Sequence, residues 1–104
     1  MKKPIVLILP HQHTKLEAKK RIREGMDKLK AELASFASVF EEEWNADKMR
    51  FRTVVLKQEV TGWIQVMDSA VRVEVSLPWI LAALAEKVRG QIEKRGSQIL
   101  IGKK

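Results

Sequence analysis

Residues 60–77 read VTGWIQVMDSAVRVEVSL, and this stretch decides the fold. In its second half, Val71, Val73, Val75 and Leu77 alternate with Arg72, Glu74 and Ser76. A period of two with one apolar and one polar side is the pattern of a strand with one face toward water. In the first half, Val60 to Met67 predicts a second strand, and Asp68 with Ser69 predicts the turn between them. Strands joined this closely run antiparallel.

The same pattern continues upstream. Lys57 and Gln58 turn the chain, and before them Met49 and Phe51 alternate with Lys48, Arg50 and Arg52 in a strand ending at Val54, Val55 and Leu56. Asn45, Ala46 and Asp47 form a turn preceded by a strand from Val39 to Trp44, which carries the acidic run Glu41, Glu42, Glu43. Earlier still the period lengthens. Thr14 and Glu17 have capping-box spacing. Ile22, Met26, Leu29, Leu33, Phe36 or Ala37, and Phe40 then follow in steps of three and four, which predicts a helix over about 14–38. Gly25 within it points to close packing, since glycine costs about 1 kcal/mol there relative to alanine. The apolar run Ile5 to Leu9, bounded by Pro4 and Pro10, predicts a buried strand. Downstream, Pro78 suits the first turn of a helix whose stripe is Leu81, Leu84, Ala85, Val88 and Ile92, with Gly96 as its C-cap. Residues 97–101 extend that helix or dock as a tail, and Lys103 and Lys104 fray.

The order is therefore β-α-β-β-β-β-α. It predicts a two-layer α+β fold, an antiparallel sheet with two helices packed on one face, forming one domain over residues 1–104. A chain of 104 residues can bury roughly two-thirds of its unfolded surface, enough for one core. Its 45% hydrophobic and 32% charged residues are ordinary for a globular protein and exclude a disordered one. The absence of cysteine excludes disulfides, a thiolate zinc site and a cysteine nucleophile, and fits a reducing compartment. The five-residue apolar run after Met1, Lys2 and Lys3 is too short for a secretory signal, and no run approaches the roughly 20 residues of a membrane span. The expectation is a cytoplasmic protein. A net charge of +7 raises the weight of an anionic partner without choosing one.

Several residues fall in a recurring order: Pro10 and His11 after the first strand, Glu17, Ala18 and Arg21 opening the helix, Trp44 before a turn, and Phe51 in the next strand. Val60, Gly62, Ile64 and Val66 follow at alternate positions, then Val71 and Val73, Leu77 and Pro78, and finally Gly90, Ile92 and Glu93. Over residues 5–100 this string resembles the polyhydroxyalkanoic acid system family, small bacterial proteins linked to polyester storage granules. The resemblance implies association with granules and brings no catalytic residue to carry over. The chain departs from the family pattern at Ala46, where glycine is frequent, and at Gln12, His13 and Thr14, where an apolar residue and glycine or proline are frequent.

No constellation points to catalysis. His11 and His13 could share a metal only with a carboxylate as third ligand, and the plainer reading is a loop entering the helix cap. The acidic residues fall on helix faces or outer strand positions, the serines lack a nucleophile-elbow context, and there is no phosphate loop or dinucleotide fingerprint. The pattern therefore assigns no catalytic, cofactor-binding or metal-ligating residue. The basic residues form two groups. One is Lys15, Lys19, Lys20, Arg21, Arg23, Lys28 and Lys30 on the outer side of the first helix; the other is Lys87, Arg89, Lys94, Arg95, Lys103 and Lys104. No aromatic platform is interleaved with them, so nucleic-acid binding is a rival reading and not the favoured one.

The tryptophans carry more. If Gly62, Ile64 and Val66 face the helices, Trp63 and Met67 face the other way, on a sheet face left open and made partly apolar by Val6 and Ile8. Trp79 caps the edge of that region or staples the second helix. Trp63, Met67 and Trp79 are the predicted interface residues. The reading is a non-catalytic binding or structural protein that contacts a copy of itself, a granule-associated protein or the polyester surface, without cofactor. The second rival is a carrier of a small apolar ligand, held between sheet and helices where Gly62, Ala82 and Ala83 leave room.

Overall fold

The computed structural model describes residues 3–35, 37–55 and 57–101. Phe36, Leu56, Lys103 and Lys104, which figure in the sequence reading, lie outside the described residues, as does the side chain of Leu33. The strands are β1 (Lys3–Pro10), β2 (Ala37–Asn45), β3 (Lys48–Val55), β4 (Gln58–Val66) and β5 (Ala70–Leu77), and the helices are α1 (Lys15–Leu33) and α2 (Ala85–Ile101). A short 3-10 helix, Trp79–Leu84, joins β5 to α2. The fold is α+β, with the five strands in one open antiparallel sheet of order β1-β5-β4-β3-β2. β2 to β5 form the meander, and β1 lies outside it against β5, so α1 carries the chain from one edge of the sheet to the other.

The register shows which side chains share a face. Leu7 pairs with Val73, Val73 with Ile64, and Ile64 with Met49. Since side chains alternate across a strand, Ile5, Leu7 and Leu9 lie on the same face as Val71, Val73, Val75 and Leu77. All seven are buried in one cluster with Ala18, Ile22 and Met26 of α1 and Leu100 of α2. Both helices pack on that face. The opposite face, bearing Arg50, Trp63 and Glu74 in one row, is covered by no helix among the described residues.

Glycines mark the close approaches. A Cβ on Gly25 would lie 2.4 Å from Cδ1 of Ile99, so α1 and α2 cross there. The expected C-cap at Gly96 is corrected: Gly96 sits inside α2, where a Cβ would come within 2.5 Å of Leu9. It is the seat of a β1 side chain, and α2 continues past it to Ile101. At Gly62 the neighbour is likewise not a helix. A Cβ would lie 2.3 Å from the Glu74 carbonyl oxygen and 2.6 Å from the Phe51 ring, which fills the space that a ligand carrier would need at that position. Pro78 precedes a 3-10 turn in place of the first turn of an α-helix, with ψ 154°, and Leu81 donates to its carbonyl (2.9 Å). The 14–38 helix also ends earlier than its apolar spacing suggests: Ala34 is its C-cap, and Ala37 and Phe40 belong to β2.

The free edges of the sheet differ in chemistry. The β1 edge carries the Val6 carbonyl, which accepts from Arg89 of α2 (3.2 Å). Backbone groups alternate sides along an antiparallel strand, so Pro4, Ile8 and Pro10 face the same edge, and the two prolines have no N–H to offer. The β2 edge carries Glu41, Glu42 and Glu43.

In the β2–β3 turn Ala46 has φ 55°, a left-handed value that costs an L-residue roughly 1–2 kcal/mol. Ala46→Gly is expected to raise the urea midpoint, with a gain of up to about 1 kcal/mol after the added flexibility of the unfolded chain is subtracted. Gly62→Val is expected to cost roughly 3 kcal/mol or more, because neither the Glu74 carbonyl nor the Phe51 ring can yield without moving a strand. An unchanged midpoint in either variant would contradict the packing described.

Candidate functional site

Trp63 stands near the middle of the open face, on the central strand β4. Its neighbours in the row are Arg50 on β3 and Glu74 on β5. The adjacent row brings Lys48 and Arg72 to either side of Gln65, and both cations lean over the indole. The Lys48 Nζ lies 4.2 Å from the ring centroid and the Arg72 guanidinium carbon 4.9 Å. Such contacts contribute about 0.5–1 kcal/mol each where exposed. On the other side, Arg52 is paired with Glu59 (2.5 Å) and Glu41 (3.2 Å), which hold its guanidinium charged. A shallow concavity of 440 Å³ lies here, with Arg50, Arg52, Thr61, Trp63, Glu74 and Ser76 in its lining.

This face is more charged than the partly apolar surface expected around Trp63. Its apolar residues include Trp63, Val6, Ile8, Val54 and Val39; among them stand Lys48, Arg50, Arg52 and Arg72 against Glu41, Glu43, Glu59 and Glu74. Opposite charges balance, so the face carries no net field to draw a polyanion. The three predicted interface residues are not brought together. Met67 lies four positions beyond Trp63, where β4 ends and the chain turns, roughly 13 Å along the strand direction. Trp79 follows β5 and so lies at the opposite end. It is 70% exposed, with Ile80 at 54% and Leu84 at 45% beside it in sequence.

The histidines are occupied by backbone. His11 is 7% exposed, its Nδ1 accepts from the His13 backbone N–H (3.0 Å), and so its Nε2 carries the proton and donates to the Met67 carbonyl (2.9 Å). His13 Nε2 bonds the Leu100 carbonyl. The pair thus fastens the β1–α1 loop to the β4–β5 turn and to the end of α2. Among the described residues, no group of three His, Cys, Asp or Glu side chains is placed to hold a metal ion.

Part of the basic set on α1 faces the sheet edge and not open solvent. Lys15 and Lys19 reach Asp47 (3.2 and 3.7 Å). Lys19 and Arg23 lie over the Trp44 ring, whose N–H donates to Glu42 (3.2 Å). Lys30 bonds Glu42 (2.6 Å), which raises its pKa above the ordinary lysine value. That contribution is therefore present through neutral pH and is lost only as pH rises through the raised pKa. Sequence spacing missed this because Glu42 follows the strand period onto the helix side and meets α1 only in three dimensions.

The arrangement defines a class: an open-faced two-layer α+β protein whose uncovered sheet surface centres on a cation-flanked tryptophan. The chain belongs to the family described as "Putative polyhydroxyalkanoic acid system protein", whose model matches residues 5–100. No curated protein matches the chain. Among the described residues, no helix is long and apolar enough to cross a membrane.

Two substitutions test these placements. His11→Ala removes the partners of the half-buried Met67 carbonyl and His13 N–H, and is expected to cost roughly 2 kcal/mol in urea unfolding. Trp63→Ser removes a half-buried side chain on the open face, and is expected to keep the far-ultraviolet circular dichroism and lose no more than about 1.5 kcal/mol. Collapse of the Trp63 variant would place that side chain in the core.

Proposed function

We propose that this chain is a non-catalytic, cytoplasmic binding protein of the polyester storage-granule system, and that it works by contact through the open face of its sheet. The family supplies the granule context. The observation that carries the contact reading is Trp63, an aromatic side chain on the central strand, ringed by arginines, a lysine and glutamates and covered by neither helix. An aromatic anchor inside a polar rim is the usual anatomy of a protein interface. The occupant is a second copy of the chain or another granule-associated protein. The Arg50–Trp63–Glu74 row suits a second copy: a twofold axis along β4 sets each arginine over the other copy's glutamate, with the indoles between them. The cationic Lys48 and Arg72 would then meet like charge, so the Trp63 row supplies the favourable part.

A second reading, nucleic-acid binding, draws on the groove between α1 and α2, where Arg21, Lys28, Lys94 and Arg95 line one channel. Arg95 is paired there with Glu32 (2.5 Å) and Arg21 with Glu17 (3.0 Å), which reduces the charge left for phosphate.

The test is co-sedimentation with isolated polyester granules across a salt series, beside sedimentation velocity of the protein alone. Binding that persists at high salt and falls at least about tenfold in Trp63→Ser is the expected result. If Trp63→Ser alters neither granule binding nor self-association, the face is not the contact surface. If binding disappears with modest salt, charge-driven partners take its place.

A further inference from the structure

The exposed apolar side chains of the Trp79–Leu84 turn lie away from the Trp63 face. Trp79, Ile80 and Leu84 are three of the five large hydrophobics that stand exposed among the described residues, and they occupy one short 3-10 helix. A monomer gains nothing from holding a tryptophan, an isoleucine and a leucine in water within six residues. The turn is anchored from beneath by Leu81, which packs against the core, so these side chains are carried on a fixed base.

The helix that follows supplies the second observation. On α2, Lys87, Gln91 and Lys94 succeed one another at intervals of four and three, which aligns them along one side of that helix, starting three residues after Leu84 ends the 3-10 turn. All are exposed, and neither lysine has an ion pair among the described residues. The acidic Glu86 and Glu93 project roughly 100° or more round the helix from Lys87, while Glu24 and Glu32 of α1 line the groove that Gln91 and Lys94 border. The half-buried stripe, Val88, Ile92 and Ile99, packs against the core. Along the chain, an exposed apolar turn is therefore followed directly by a cationic stretch of α2.

We infer that Trp79–Leu84 and the Lys87–Lys94 side of α2 form a docking surface for an anionic lipid layer, with Trp79 and Ile80 entering the headgroup boundary and the two lysines lying over lipid phosphates. Exposed apolar side chains with lysines beside them are the combination that holds a helix in a membrane interface, where apolar burial and electrostatic attraction add. Charge complementarity selects the occupant: a neutral apolar protein surface would leave Lys87 and Lys94 unused. The surface is separate from Trp63 and does not depend on the granule reading.

The test is flotation of the full chain with phosphatidylcholine vesicles and with vesicles of equal parts phosphatidylcholine and phosphatidylglycerol, which contain no polyester. Binding to the anionic vesicles is expected to exceed binding to the neutral ones and to weaken with salt. The double variant Trp79→Ser, Ile80→Ser should bind about tenfold more weakly or worse, and Lys87→Gln with Lys94→Gln should cost roughly fivefold for each lysine. Circular dichroism should stay unchanged in both, since the altered side chains are outside the core. Trp79→Phe should retain flotation while losing the blue shift of tryptophan emission on binding. Equal binding to both vesicles, no flotation, or flotation that survives the double serine variant would overturn the inference. So would a stable dimer of the native chain that dissociates in Trp79→Ser, which would show a second copy covering the turn.

Discussion

The ladder between β1 and β5 sets the terms for the rest of the molecule. It pairs residue 7 with residue 73 and places the first apolar run beside the last strand of the meander. Those two strands supply half of the buried cluster. Once β1 lies at that edge, the chain must cross the full sheet to begin β2, and α1 is the crossing. α2 then returns over β1, where Leu9 seats in the gap at Gly96 and Leu100 closes the core against the His13 loop. Two helices on one side and a bare sheet on the other follow from that single pairing. It also means that the core forms late, because its contacts require closure of most of the chain.

Much of this was legible in local pattern. The alternation through β5, the capping box at Thr14 and the turn residues before β3 and β5 placed the elements within a few positions, since each depends on neighbours in sequence. Thr14 does accept from the Glu17 N–H (3.1 Å). What local pattern could not show is where β1 pairs, because five apolar residues between prolines fit either edge or the centre of a sheet. Gly96 misled for a similar reason. A glycine near a helix end resembles a cap, and only the presence of Leu9 above it reveals a packing gap. For the site, period-two alternation put Trp63 on the open side, and the register agrees. The charged character of that face was already written in Lys48, Arg50, Arg52, Arg72 and Glu74, but their convergence on Trp63 depends on the register of three strands at once. The dispersal of Trp63, Met67 and Trp79 has the same origin: a strand and its successor run in opposite directions.

The tryptophans show how this basic chain distributes its charge. Trp44 lies beneath Lys19 and Arg23 on the helix side, and Trp63 beneath Lys48 and Arg72 on the open side. In both places cations cover an aromatic surface that would otherwise meet water at the margin of a small core, and their aliphatic stems extend that cover. Four of the 20 basic residues are thus engaged over two indole rings. Among the described residues no cation covers Trp79, which separates it from the other two in chemistry as well as in position.

The edges of the sheet limit how the molecule can assemble. At β1 two prolines withhold N–H groups and Arg89 occupies a carbonyl, so an incoming strand would find a broken ladder. At β2 a second copy approaching antiparallel would bring one run of three glutamates against another. With both margins unsuited to strand addition, sheets cannot grow from one molecule to the next. A contact between copies would be left only the faces of the sheet, where a twofold arrangement closes on itself and seeds no fibre.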